Sequence, residues 1–222
     1  MLGAFLSGWF YVITNAIKDS SKPARDYSML WGEFTSGVGE YFLSVLGFLF
    51  VVMLVSSIIV ICTILAGKHF IGNPGITYAQ ISSATSNFEA MRAFTASLTP
   101  EQITKINYWN ILLFSAMIFN YFVLILYSPA IYFKQKNPFI AFFVSLKDLF
   151  SRFFIKNIVL FIIIFVSYFI LSFANTVLGN NIIAHFILTL INFYYLTYIA
   201  ILVFNYYYSN YAKIGAAIDK IV

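Results

Sequence analysis

The chain has 222 residues, of which 61% are hydrophobic, 20% are aromatic and only 9% are charged, with a formal net charge of +5. Because about a quarter of the residues in a soluble domain are charged, this composition excludes an ordinary soluble domain and predicts an integral membrane protein. The single cysteine, Cys62, excludes an internal disulfide framework and a cysteine metal cluster.

The first residues, 1–17, are apolar but marginal in length for a span. They lack a positively charged start and a convincing cleavage site, so we do not interpret them as a signal peptide. Two alternatives stay open, an interfacial helix or a fifth span. Both leave Lys18 to Arg25 on the cytoplasmic side.

Four later segments are long and apolar enough to cross a hydrocarbon layer of about 30 Å as helices. They predict an all-α helical bundle with transmembrane helices at 41–66, 108–133, 157–179 and 184–208. Residues 67–107 form the extracytoplasmic loop between the first two spans. In that loop, Thr99, Pro100 and Gln102 predict a capping box that starts a helix leading into the second span.

Lys and Arg residues predict the orientation, because positively charged loops stay on the cytoplasmic side. This rule places both termini in the cytoplasm, in a cell membrane that we expect to be a prokaryotic inner membrane. The predicted cytoplasmic residues are Lys18, Lys22, Arg25, Lys134, Lys136, Lys147, Arg152, Lys156, Lys213 and Lys220, and the residues on the other side are Lys68, Arg92 and Lys105.

A cytoplasmic amphipathic helix is predicted over residues 138–156, starting at Asn137 and Pro138. One stripe of this helix contains Ala141, Ser145, Asp148, Arg152 and Lys156, and the opposite face contains Phe139, Phe142, Phe143, Leu146, Phe150, Phe153 and Phe154. Phenylalanine opposite lysine and arginine is typical of a helix lying in the headgroup plane of an anionic membrane. Nucleic-acid binding is disfavoured, because the aromatic and basic residues do not share a face. A protein-docking helix remains the alternative.

A similar amphipathic stripe precedes the first span, so the chain has two units of one plan, each a leading helix followed by a two-span hairpin. Glu33 and Glu40 lie on the first leading helix, and we expect them to face Lys147 or Arg152 on the second. Gly37, Gly39 and Gly47 are candidates for close helix approach.

No Asp, Glu, Lys or Arg lies inside the four predicted spans, which argues against a proton-driven carrier. His69 and His185 lack partners for a metal site, and no catalytic motif is present, so we expect no enzyme activity, no cofactor and no metal. The buried polar candidates are Asn120 and Asn192. Interhelical hydrogen bonding is their simpler interpretation, and a substrate pathway is the alternative.

The stretch SPAIYFKQKNPFIAFFVSLKDLFSRFFIKNIVLFIIIF, residues 128–165, resembles the repeating core of a broad set of prokaryotic polytopic proteins, which includes the membrane domain fused to some glycerophosphoryl diester phosphodiesterases. Pro129, Ala141 and Ser145 match that pattern, as do the tyrosine-rich residues 205–211. The resemblance implies a helical membrane fold. It implies no activity, because the catalytic domain of the fused proteins has no counterpart here.

These observations predict a non-catalytic membrane protein that binds lipid or serves as an accessory component of a membrane complex. The surface contacts would be Lys147, Arg152 and Lys156. The expected partners are membrane lipids with anionic headgroups, and either another membrane protein or a second copy of the chain, but not nucleic acid. The alternative function is a permease or channel subunit for a neutral or lipidic solute, with Asn120 and Asn192 near its path.

Overall fold

The computed structural model describes residues 1–20, 29–178 and 182–213 of the chain. Every regular element in these residues is a helix, which confirms the predicted all-α class. Lys22, Arg25 and Lys220 lie outside the described residues. In chain order the helices are α1 (Leu2–Lys18), α2 (Leu30–Phe70), α3 (Tyr78–Ala84), α4 (Phe88–Ser97), α5 (Pro100–Leu124), α6 (Tyr127–Phe133), α7 (Pro138–Leu149), α8 (Phe154–Leu178) and α9 (Ile182–Tyr207), followed by a π-helical turn at Tyr208–Ala212.

Four helical segments are long and apolar enough to cross a membrane, at Leu30–Phe70, Pro100–Phe133, Phe154–Leu178 and Ile182–Ala212. Each of them contains most of one predicted span. The chain is therefore a multi-pass, all-α membrane protein by length and composition of its helices.

The chain divides into two compact units, which we describe separately. The large unit comprises Met1–Val52 and Phe122–Val222, and the small unit comprises Met53–Tyr121. The large unit contains α1, α6, α7, α8 and α9. The small unit contains the short helices α3 and α4.

The predicted leading helix and the first span form one continuous helix, α2, of 41 residues. Predicting a separate element before residue 41 was therefore wrong. No proline interrupts residues 30–70, and glycine alone lowers helix stability without ending a helix. The amphipathic stripe that precedes residue 41 is thus the first part of the same helix.

The second predicted span, 108–133, is interrupted, because α5 ends at Leu124 and α6 begins at Tyr127. Pro129 explains the position of this break. A proline has no N–H to donate to the carbonyl four residues earlier, and its ring collides with that carbonyl, which here belongs to Ile125. The bundle continues from the break through the short helix α6, whose Leu126 to Tyr132 region is largely buried.

Helix α7 begins where the sequence predicts, since the Asn137 side chain accepts hydrogen bonds from the backbone N–H groups of Phe139 and Ile140 at 3.0 and 3.4 Å. Its predicted end at residue 156 was wrong. The helix stops at Leu149, a turn follows, and α8 starts at Phe154. Arg152 therefore lies in the turn, and Lys156 belongs to α8.

Helix α1 packs inside the large unit, against α6 and α9. Its 17 residues extend about 25 Å, somewhat less than the hydrocarbon thickness. Ser7, Thr14 and Ile17 face the bundle and are buried. Whether this helix is interfacial or a fifth span therefore stays open, but it is an integral part of the unit in either case.

Gly8 on α1 and Gly37 on α2 allow these two helices to approach each other closely. A Cβ atom added to Gly37 would lie 3.1 Å from the Cα atom of Gly8 and would overlap the Tyr11 side chain. Gly47 similarly faces the Pro138 ring, whereas Gly39 faces open space. The expectation of close approach is thus correct for two of the three glycines.

The small unit shows the predicted capping box, in which the Gln102 side chain accepts from the Thr99 N–H at 3.0 Å and the Gln102 N–H donates to the Thr99 hydroxyl at 3.3 Å. Thr77 and Gln80 repeat the same arrangement at the start of α3. Near the end of α2, the Trp109 ring packs on Gly67, and its indole N–H donates to the Gly72 carbonyl at 3.0 Å.

We expect Gly37→Ala to destabilise the protein and Gly39→Ala to leave its stability unchanged or slightly raised. Both changes gain helix propensity, by up to about 1 kcal/mol. Only the first forces α1 and α2 apart, and such overpacking costs about 1–3 kcal/mol. Thermal unfolding in detergent checks this, and equal melting temperatures for the two variants would contradict the assigned contact.

Candidate functional site

The small and polar stripe of α7 faces the interior of the large unit. Ala141 and Ser145 are 0% exposed and Asp148 is 8% exposed, whereas Phe139 and Phe143 are 54% and 68% exposed. The sequence predicts an amphipathic helix, but the alternation of polar and apolar residues does not by itself show which of the two faces is buried. This orientation brings an acidic side chain into the bundle.

Asp148 is bound by two side chains from other helices. The Lys134 ammonium donates to both carboxylate oxygens, at 2.9 and 2.8 Å, and the Tyr207 hydroxyl donates to Oδ2 at 2.5 Å. The Lys134 nitrogen also lies 5.5 Å from the ring centroids of Tyr207 and Tyr211. A buried carboxylate needs such partners, since its removal from water without them costs several kcal/mol.

Asn157, which is 0% exposed, extends this contact to α8. Its Nδ2 atom donates to the carbonyls of Leu149 at 2.7 Å and Asp148 at 3.3 Å. Its Oδ1 atom accepts from the hydroxyls of Tyr206 at 2.7 Å and Tyr211 at 2.8 Å. One amide thus satisfies carbonyls at the end of α7, which have no partner within that helix, and connects α8 to the end of α9.

The π-helical turn at the end of α9 explains how both tyrosines reach Asn157. In an α-helix, residues five apart such as Tyr206 and Tyr211 point in directions about 140° apart. A π-helical turn has hydrogen bonds between residues five apart, so it brings such residues closer to one side than an α-helix does. We call Lys134, Asp148, Asn157, Tyr206, Tyr207 and Tyr211 the buried polar network.

The polar groups of the buried polar network satisfy one another. No fully buried side-chain nitrogen or oxygen in the described parts of the chain lacks a hydrogen-bond partner. Neither the cleft lined by Ser56 and Asn120 nor the one lined by Phe70 and Tyr108 includes a residue of the network. Its best-supported role is to hold α6, α7, α8 and α9 together.

Sequence reasoning did not identify the network, although one signal for it exists. Asp148 is the only acidic residue between Glu101 and Asp219, in a stretch that contains six lysines and one arginine. A lone carboxylate on the same stripe as Ala141 and Ser145 indicates a buried partner. The partner itself could not be named without the fold.

Glu40 forms an ion pair with Lys136, so the predicted pairing of Glu40 with Lys147 or Arg152 was wrong. Lys136 lies in the loop that immediately precedes α7, which is why it reaches α2. Its hydrogen bond with Glu40 raises the pKa of the Lys136 ammonium. The Lys136 nitrogen is also 5.0 Å from the Tyr41 ring centroid.

The predicted surface residues Lys147, Arg152 and Lys156 are all exposed. The Arg152 guanidinium carbon lies 4.8 Å, and the Lys156 nitrogen 5.1 Å, from the same ring centroid, that of Phe153. Within residues 1–20, 29–178 and 182–213, no carboxylate pairs with any of the three cations. With Phe139, Phe143 and Phe150, which are 54%, 68% and 58% exposed, they form what we call the basic-aromatic surface.

The two predicted asparagines do not share a site. Asn192 on α9 exchanges hydrogen bonds with Asn175 on α8, at 3.2 and 3.5 Å. Asn120, in the small unit, accepts from the Ser56 hydroxyl at 3.2 Å and lines a half-open cleft of about 150 Å³. Both asparagines therefore take part in hydrogen bonds between helices.

Searches for known relatives found no matching protein-family model, no matching curated protein and no matching solved structure. The resemblance to the membrane domain of glycerophosphoryl diester phosphodiesterases stays a prediction. Among the described residues, no group of three or more His, Cys, Asp or Glu side chains is placed to hold a metal ion.

We expect Lys134→Met to destabilise the protein by about 3 kcal/mol, because it leaves the buried Asp148 carboxylate without its charged partner. Asp148→Leu should cost less, because the Lys134 side chain that it leaves behind is 29% exposed and stays partly solvated. The double variant should recover a large part of that loss. Unfolding in a mixed-micelle SDS titration measures the coupling. Glu40→Gln and Lys136→Gln, at a more exposed ion pair, are the controls and should change stability little. Additive effects of the Lys134 and Asp148 changes would show that the pair does not act as a unit.

Proposed function

We propose that this protein is a non-catalytic, multi-pass membrane protein whose basic-aromatic surface binds anionic lipid headgroups. The observation behind the proposal is that three exposed cations, which have no carboxylate partner among the described residues, share one surface with the exposed rings of Phe139, Phe143 and Phe150. The distribution of Lys and Arg along the sequence favours the cytoplasmic leaflet of a cell membrane as the site of binding.

The position of the surface in the chain supports a membrane contact. Arg152 lies two residues before the start of α8, and Lys156 lies in its first turn. If α8 spans the bilayer, both charges lie at the level of the headgroups. The phenylalanine rings of α7 then contact the acyl boundary while the cations contact phosphate, which is the arrangement of interfacial helices.

The charge of the surface supports anionic lipid in particular. The Phe153 ring lies within about 5 Å of both the Arg152 and Lys156 charges, so the two charges lie at most about 10 Å apart. Each basic residue near an anionic membrane surface contributes on the order of 1 kcal/mol to binding. Two such residues beside one ring provide a local attraction for one headgroup phosphate.

Transport of a neutral or lipidic solute is the second candidate, and the asparagine geometry gives it less support. Asn192 is engaged with Asn175 and with the Leu188 carbonyl, to which it donates at 2.7 Å, so its amide has its own partners. Asn120, by contrast, lines a half-open cleft. An accessory role in a membrane complex would use the same basic-aromatic surface, and the experiment below distinguishes it from lipid binding.

We expect the double variant Arg152→Gln, Lys156→Gln to bind phosphatidylglycerol about 30-fold more weakly than the unchanged protein, since two contributions of on the order of 1 kcal/mol are lost. Native mass spectrometry of the detergent-solubilised protein, titrated with phosphatidylglycerol, measures the change. Titration with phosphatidylcholine should show no difference between the two proteins.

The matched control is Lys68→Gln, Arg92→Gln, which removes the same charge at exposed positions of the small unit. Equal weakening by both double variants would contradict a lipid site at the basic-aromatic surface. A co-purifying protein that is lost only from the Arg152, Lys156 variant, with lipid binding unchanged, would replace the proposal by the accessory role.

A further inference from the structure

We propose that Asn120 is the centre of an interface between two copies of this chain, in which the two Asn120 amides bind each other inside the membrane. The inference is independent of the lipid-binding proposal. It starts from an amide group that its own chain leaves half satisfied.

Asn120 makes one hydrogen bond, with the Ser56 hydroxyl at 3.2 Å, and across residues 1–20, 29–178 and 182–213 it makes no other. The hydroxyl is able to contact only one end of the amide. Whichever way the amide is turned, its second polar atom has no partner. That atom is not enclosed by the chain, because no enclosed side-chain nitrogen or oxygen of the described residues is unpaired.

The depth of Asn120 makes this open atom costly. Ser56 is near the middle of the apolar run 41–66, so the amide beside it lies near the centre of a hydrocarbon layer. No bulk water is available there, and an unsatisfied polar group costs several kcal/mol. A partner from outside the chain would remove that cost.

A second Asn120 fits this requirement, because a primary amide is self-complementary. It has both a donor and an acceptor, and two such groups form a reciprocal pair. The chain already uses this arrangement between its own helices, where Asn175 and Asn192 exchange hydrogen bonds. In membranes, asparagine side chains associate helices in this way.

The surroundings of Asn120 suit a neighbouring helix. The cleft of about 150 Å³ has the small side chains of Ser56 and Ala116 in its lining, and small residues allow helices to approach closely in a membrane. Beside them, Leu113 and Met117 are 45% and 44% exposed, so each projects from one copy towards the other. Two copies with one orientation are related by an axis along the membrane normal, which places each residue opposite its own counterpart.

The first test is disulfide crosslinking in native membranes, in a Cys62→Ser background that removes the exposed natural cysteine. Leu113→Cys, which leaves Asn120 in place and lies on the same face of α5, should give a crosslinked dimer on mild oxidation. Ile111→Cys is the control, since this residue is 63% exposed and lies on the opposite face of α5. Equal or faster crosslinking at residue 111 would overturn the proposed interface.

The second test separates pairing between copies from the bond within one copy. Asn120→Leu removes both and should weaken the dimer about 10- to 30-fold in lipid nanodiscs, as judged by single-molecule photobleaching. Ser56→Ala removes only the bond within the copy and should leave the dimer intact. If both variants weakened it equally, or if native mass spectrometry showed a monomer that retains a small molecule through Asn120, the proposal would be wrong.

Discussion

A carboxylate taken out of water needs charged and hydrogen-bonding partners, and this requirement organises the large unit around Asp148. Lys134, at the C-cap of α6, and Tyr207, in α9, provide those partners. Because the three side chains come from separate elements, their contact fixes how α6, α7 and α9 meet. Asn157 then adds α8 through the carbonyl groups at the end of α7. Burial of the Asp148 carboxylate alone would oppose folding. Because its partners reach it in one arrangement of the helices, the carboxylate favours that arrangement over others.

The sequence predicts the helices well where the determining signals are local. Apolar length identifies the four long helices, Asn137 and Pro138 mark the start of α7, and Thr99 with Gln102 marks the start of α5. Each of these signals acts over one or a few turns. The break after Leu124 also has a local cause, because Pro129 acts on the carbonyl four residues before it.

The buried polar network was not predictable in the same way. The partners of Asp148 lie 14 and 59 residues away in the sequence, and Tyr206 and Asn157 are 49 residues apart. An amphipathic pattern shows that a helix has two different faces. It does not show which face is buried when the alternatives are a small polar stripe and a phenylalanine face, since lipid accepts the phenylalanine face. In a membrane protein, the buried face is therefore the face whose polar groups have hydrogen-bonding or charged partners inside the protein.

The same helix therefore connects the core of the large unit with its candidate binding surface. Burial of Ala141, Ser145 and Asp148 turns Phe139 and Phe143 outward, so the basic-aromatic surface is a consequence of the buried polar network. Because α7 is held at Asp148, its exposed face is ordered before any lipid binds, which lowers the entropic cost of binding. Loss of the Asp148 contacts would then weaken lipid binding without any change to a cation. A variant that unfolds the network and a variant that removes a lipid contact are thus distinguishable by stability, since only the first should lower it.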